Sequence, residues 1–151
     1  MRDCSYIFPT LPSEYRGTTL SYWYLIGLTI LTTGRSLVHM FAPDGGAGSI
    51  AGLDTSGEGG ENLISMFAQW GLEQLLLSFV AWVVIIKYRF LVPFVLLVQF
   101  LDWSGRALLG LIKPLVVENP PPGKIGNYIF VPLTAIALWF SLPKTSDTKS
   151  D

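Results

Sequence analysis

The side chains best placed to do chemistry in this sequence are ionisable groups set inside apolar stretches. Arg35 and His39 stand four apart, as do Gln69 and Glu73, while Gln99, Asp102 and Arg106 fall at i, i+3 and i+7. On a helix each set shares one face. Charge inside a bilayer is costly, so such residues turn inward, pair with one another or mark a site. Two readings stay open. In the first the groups are internal glue, with Asp102 paired to Arg106 along one helix and Gln99 hydrogen-bonding across helices. In the second they line a ligand pocket, roofed by Arg35, His39 and Arg106 and floored by Glu73 and Asp102, with Gln99 on the Asp102 face.

Other chemistries find less support. His39 is the only histidine, which excludes bis-histidine haem and a His-rich metal site. A haem axis from His39 with Met40 or Met66 is outweighed by ordinary packing roles for these residues. Glu73 and Asp102 as a metal or proton pair give way to salt bridges with the two arginines. An acid–base dyad of His39 and Asp102 lacks a serine or cysteine nucleophile at a telling spacing. The glycines at 45–46 and 57–60 lack the Lys-Ser/Thr of a phosphate loop and read as loop residues. No catalytic residue, metal or cofactor is expected.

The elements that must position these groups are apolar segments. Half of the residues are hydrophobic and 14% are charged, against roughly 25% in a soluble domain. The excess falls in runs of about 20 residues, the length that spans a bilayer. Spans are predicted at 20–41, 63–86, 90–112 and 125–142, an all-α bundle of four transmembrane helices with tails at 1–19 and 143–151. Pro43 with Gly45 and Gly46 ends the first. The stretch 45–60 is polar and Gly-rich and reads as a mobile loop. Lys87, Tyr88 and Arg89 alone separate the second span from the third, which makes those two an antiparallel pair. Pro93 falls in the third helix's first turn, where a missing N–H costs little, and Pro132 should kink the fourth. Residues 75–86 carry no charge and one hydroxyl, Ser78, so no polar face exists for a soluble bundle.

Depth follows from rise per residue. The end of span one and the end of span three share a membrane side, and a rise of about 1.5 Å puts Arg35 and Arg106 each roughly 9 Å deep. Glu73 and Asp102 come out roughly 15 Å deep. Orientation follows from Lys and Arg in the short flanks. Arg2, Arg16, Lys87, Arg89, Lys144 and Lys149 flank one side, against Lys113 and Lys124 with Asp44, Asp54, Glu58 and Glu61 on the other. Both termini are therefore expected in the cytoplasm, in a multi-pass protein of the cell (inner) membrane. Tyr22, Trp23, Tyr24, Tyr88, Tyr128 and Trp139 lie near span ends, where amphipathic rings prefer to sit. Gly27 and Gly34, seven apart, offer a small-residue row for helix contact.

A net charge of −1 gives no footprint for nucleic acid. Cys4, the single cysteine, excludes an intramolecular disulfide and reads as a free thiol, with lipid anchoring the lesser alternative. Residues 1–17 are polar, contain Pro9 and Pro12, and do not read as a signal peptide, so the first apolar segment is expected to be retained.

One pattern extends from Tyr24 to Leu142: Pro43 after span one, the small-residue loop Ala51-Gly52-Leu53, and Glu61 and Gly71 in span two. A basic turn with Pro93, Gly105-Arg106 late in span three, a proline-rich loop and a plain fourth span complete it. This pattern resembles the small uncharacterised bacterial four-helix membrane proteins, a group likened to the ergosterol-pathway scaffold protein of the endoplasmic reticulum. Asn127 departs from it, since an acidic residue is expected near the start of span four. The resemblance implies a fold and a membrane location and confers no established activity. The expected function is a scaffold, or binding of a lipid or isoprenoid-type ligand in the bundle, with membrane lipid and a protein partner or second copy as partners. The alternative is a membrane enzyme or proton-linked transporter using the Asp/Arg/Glu/His cluster.

Overall fold

The computed structural model describes residues 4–7, 14–117 and 120–144. Arg2, Pro9, Pro12 and Lys149, used above for the tails, lie outside the described residues. The regular elements described are helical: α1 (Thr19–Phe41), α2 (Gly60–Lys87), α3 (Val92–Ile112) and α4 (Pro122–Ser141), with short 3-10 turns at Cys4–Ile7 and Arg89–Leu91.

Proline sets most of the boundaries, because the residue before it is pushed out of helical geometry. Ala42, before Pro43, is extended and closes α1; Leu142, before Pro143, closes α4 in the same way. Lys113 leaves the helical region before Pro114. Pro93 falls at the start of α3, as expected. The fourth helix begins three residues earlier than predicted: Pro121 is extended and Pro122 takes the first helical position, where its fixed φ and missing N–H cost nothing. The same helix continues through Pro132 to Ser141. The second helix also starts three residues early, at Gly60, because Gly59 before it adopts φ +95°, which L side chains avoid.

Packing is organised as two helix pairs. α1 packs most extensively on α2 and α3 on α4, while α2 and α3 touch sparsely despite their short connection. Tyr22 Oη donates to the Ile85 carbonyl at 3.1 Å, and Tyr24 Oη lies 2.6 Å from Thr134 Oγ1, so these tyrosines fasten α1 to α2 and α4. Thr18 N–H donates to the Phe140 carbonyl at 3.0 Å and ties the start of α1 to the end of α4. Near this end of the bundle Leu25, Ala81, Val84, Val92, Leu96 and Ala137 form a dry apolar core.

The distribution of polarity is inverted relative to a soluble bundle. Thr29, Thr32, Ser36, His39, Gln74, Ser78, Gln99 and Thr134 are buried, whereas Ile30, Phe41, Phe79, Ile86, Leu101, Leu111 and Ile136 are exposed. Helices α2, α3 with its preceding turn, and α4 are long and apolar enough to cross a membrane. α1 has the length but carries more hydroxyl and polar residues. Its hydroxyls are hidden: Thr29 donates to the Leu25 carbonyl and Ser36 to the Thr32 carbonyl, each at 2.7 Å, and Thr32 to the Leu28 carbonyl. Such back-bonding satisfies the side chain within its own helix.

The segment between α1 and α2, expected to be a mobile loop, is folded against the bundle. Asp44 accepts the N–H groups of Ser49 at 2.6 Å and Gly46 at 2.9 Å. Those bonds hold its carboxyl down to about 2, Ser49 first, so the cap is intact above the ordinary carboxylate range and is lost only as pH falls through about 2. Ala47 and Ala51 are buried beneath the turns. Gly45 and Gly46 have φ +58° and +74°, which lets the chain reverse close over His39.

Candidate functional site

At the end of the bundle opposite the dry core, the helix ends bring cations and indoles together. α1 supplies Arg35 and His39, α2 supplies Phe67, Trp70 and Gln74, and α3 supplies Asp102, Trp103 and Arg106. Arg106 grips Asp102 with both arms of its fork, Nε to Oδ1 at 3.0 Å and Nη2 to Oδ2 at 2.5 Å. This is the intrahelical pair expected from the spacing, with Arg106 16% and Asp102 27% exposed.

Arg35 reaches no carboxylate among the described residues. It donates through Nε at 3.2 Å and Nη2 at 2.5 Å to a single neutral acceptor, Gln74 Oε1. The sequence pointed to Glu73 or Asp102 across the bundle, or else to a ligand, headgroup or water. One residue is a rotation of about 100° on a helix, and packing of α2 against α1 turns Gln74 inward and leaves Glu73 exposed. Glu73 forms no ion pair with a described residue, so the floor of the pocket is not built from it. Gln69 shares the exposed face, its amide 3.5 Å from Ser65 Oγ. Replacing Glu73 with Leu is therefore expected to leave thermal stability in detergent undiminished or raised, because it breaks no ion pair with a described residue and removes a carboxylate from an outward position on a membrane-crossing helix. A melting-point loss equivalent to about 2 kcal/mol or more would return Glu73 to the cluster.

The two guanidiniums share an aromatic cage. Arg35 Cζ lies 5.2 Å from the Trp70 ring centre and 5.7 Å from that of Trp103; Arg106 Cζ lies 5.4 and 5.1 Å from the same two rings. Both arginines therefore flank the same pair of rings near one end of the bundle. Cation–π contacts of this kind contribute roughly 0.5–2 kcal/mol each, more where water is excluded. Trp103 is 2% exposed and its ring packs 4.7 Å from Phe130 of α4. The sequence reading missed Trp70, Gln74 and Trp103. A usable signal was present: Trp70 and Trp103 lie well inside their spans, where the aromatic preference for interfaces gives them no role.

His39 is buried and serves the loop. Its Nδ1 lies 2.7 Å from the Gly45 carbonyl, which can only accept, so Nδ1 carries the proton. Its ring lies 5.0 Å from Trp70 and 5.5 Å from Phe67. Gln99 is buried deeper along α3, and its Oε1 has no partner among the described residues. Arg106 Nη1 and the Trp103 indole N–H are also buried without an acceptor.

Arg35, His39, Trp70 and Arg106 line a cavity of about 420 Å³ between the two helix pairs. Ile50, Phe67, Leu109 and Leu115 make its apolar walls, and Lys124 and Asn127 of α4 complete it. A wide surface depression of about 740 Å³ adjoins it, sharing Ile50, Ala51, Val117 and Pro121. Asp102, Glu73 and Gln99 are not among the residues lining the cavity. An apolar chamber with cations at one end can hold a molecule that is apolar along its length and anionic at its tip.

Compared with known protein families, curated proteins and solved structures, the chain matches none of them.

Proposed function

We propose that the protein crosses the cell (inner) membrane four times and binds a lipid or isoprenoid-type amphiphile in the cavity between its helix pairs. The observation that carries this reading is the cavity itself, apolar along most of its wall and cationic where Arg35 and Arg106 meet. A span at α1 is supported by the way its polar side chains face α2 and α4 or bond back to their own helix, leaving Leu20, Ile30, Leu31 and Val38 outward. Such a helix costs less in lipid than its composition suggests, because the hydroxyls of Thr29, Thr32, Thr33 and Ser36 are already satisfied. Arg16, Lys87, Arg89 and Lys144 fall at one end of the bundle, which supports termini in the cytoplasm. The resemblance to small bacterial four-helix membrane proteins is part of the same proposal.

Binding is favoured over the enzyme or transporter alternative by the position of Glu73. Proton relay or acid–base work would draw on several carboxylates, and only Asp102 stands in the cluster, with both oxygens engaged by Arg106.

Native mass spectrometry of the detergent-purified protein is expected to show one dominant amphiphile retained at high collision energy. Adducts matching bulk membrane lipid in its ordinary proportions would overturn the binding reading. For topology, reporters fused at the N-terminus and after Lys149 should read cytoplasmic, and one after Gly57 non-cytoplasmic. An N-terminal reporter on the same side as the Gly57 reporter would remove α1 as a span.

A further inference from the structure

We infer that the polar end of the cavity is a phosphate site, so that the amphiphile held there carries an anionic phosphate head. The inference rests on the binding reading above and adds the chemistry of the ligand. Arg35 and Arg106 bring two positive charges into the cage, and Asp102 offsets one, through Arg106. Among the described residues Arg35 is hydrogen-bonded to a neutral amide alone. The nearby acids are committed elsewhere: Glu73 faces outward and Asp44 is held by the Ser49 and Gly46 amides. Lys124, on the cavity wall at the start of α4, adds a further cation. A zwitterionic head would leave this excess uncancelled, whereas an anion removes it.

Arg106 Nη1 is a buried donor with no acceptor among the described residues, although the other arm of the same guanidinium is fully used. Buried donors are almost always satisfied; Nη1 has no open surface of its own, so a ligand oxygen reaches it when the Arg106 side chain turns toward the cavity that it lines. Guanidinium groups recognise flat carboxylates and tetrahedral phosphates through paired N–H donors. Two guanidiniums from different helices, α1 and α3, flank the same two indoles. A carboxylate presents its oxygens in one plane, while a phosphate offers non-bridging oxygens in several directions and can serve both donors together. Behind the head, Phe67, Leu109 and Leu115 offer apolar contact for a chain. The adjoining depression leads from the cavity toward Asp54 and Pro120 on the surface, so free phosphate is the competing source of the same chemistry.

The test uses the full chain in detergent, with dioleoyl phosphatidic acid, dioleoyl phosphatidylcholine and inorganic phosphate as probes. Binding is read by native mass spectrometry and by the shift in melting temperature. Phosphatidic acid is expected to bind at least tenfold more tightly than phosphatidylcholine and to raise the melting temperature, with millimolar inorganic phosphate competing weakly. Arg35→Lys keeps the charge but loses the fork, and should weaken phosphatidic acid at least tenfold while leaving phosphatidylcholine unchanged. Equal retention of both lipids by the unaltered protein would overturn the net-anionic head, since phosphatidylcholine carries a phosphate balanced by its own choline, and leave lipid binding standing. Inorganic phosphate binding as tightly as phosphatidic acid would overturn the lipid source and keep the anion site. Binding of none of the three would overturn both. The comparison of lipids on the unaltered protein decides the matter even if the Arg35 variant does not fold.

Discussion

Asp102→Leu is expected to cost about 3 kcal/mol of stability, the scale for removing one partner of a desolvated ion pair. The variant leaves Arg106 with nothing but the Trp70 and Trp103 rings, and it places a second uncompensated cation beside Arg35. Both guanidiniums would then repel across one cage. Asp102→Leu combined with Arg106→Leu should recover much of the loss, because the stranded charge is gone and two apolar side chains fill similar space. Thermal unfolding in detergent of the two single variants and the double variant gives the coupling directly. A double variant no more stable than Asp102→Leu alone would show that the two residues depend on separate partners.

The second large effect is expected at Gly71, where α1 and α2 come closest beside the cavity. A Cβ placed there would lie 2.7 Å from His39 Cβ, 3.0 Å from the Ser36 carbonyl oxygen and 3.1 Å from Met40 Cγ. The carbonyl belongs to the backbone of α1 and cannot step aside. Gly71→Leu should therefore drive the helices apart, costing roughly 1–3 kcal/mol or more, and should loosen the His39–Gly45 bond that seats the loop. Gly27 and Gly34 make the contrast. A Cβ at either position meets nothing within 4 Å, so the small-residue row on α1 is not a contact between helices of this chain. Gly34→Leu should stay within about 0.5 kcal/mol of the unaltered protein. Equal melting temperatures for the Gly71 and Gly34 variants would refute the close approach at Gly71.

These two predictions separate what is local in the protein from what is not. Helix boundaries at Ala42, Lys113 and Leu142 were legible because proline restricts its preceding neighbour whatever the tertiary context. The Asp102–Arg106 pair was legible for a similar reason, since four residues make one turn of a single helix. That Arg35 and Arg106 come together near one end of the bundle follows from counting helix rise back from the ends of α1 and α3.

Which residue of α2 meets Arg35 was not legible. Glu73 and Gln74 are adjacent in sequence, and charge argued for the acid, but the contact is set by the azimuth at which α2 docks on α1. That azimuth depends on Gly71 fitting under Ser36 and His39, a contact between residues more than 30 apart in the chain. The folding of the Gly-rich segment over His39 was hidden in the same way. Its glycines read as freedom, and the tertiary structure spends that freedom on two positive-φ residues that bring the Gly45 carbonyl to Nδ1. The sequence by itself determined the apolar helices, their proline stops, and the cations near one end of the bundle. Only the tertiary structure decided that Arg35 faces indoles and an amide in place of an acid, because that outcome turns on helix rotation, and rotation is chosen by packing summed over whole interfaces.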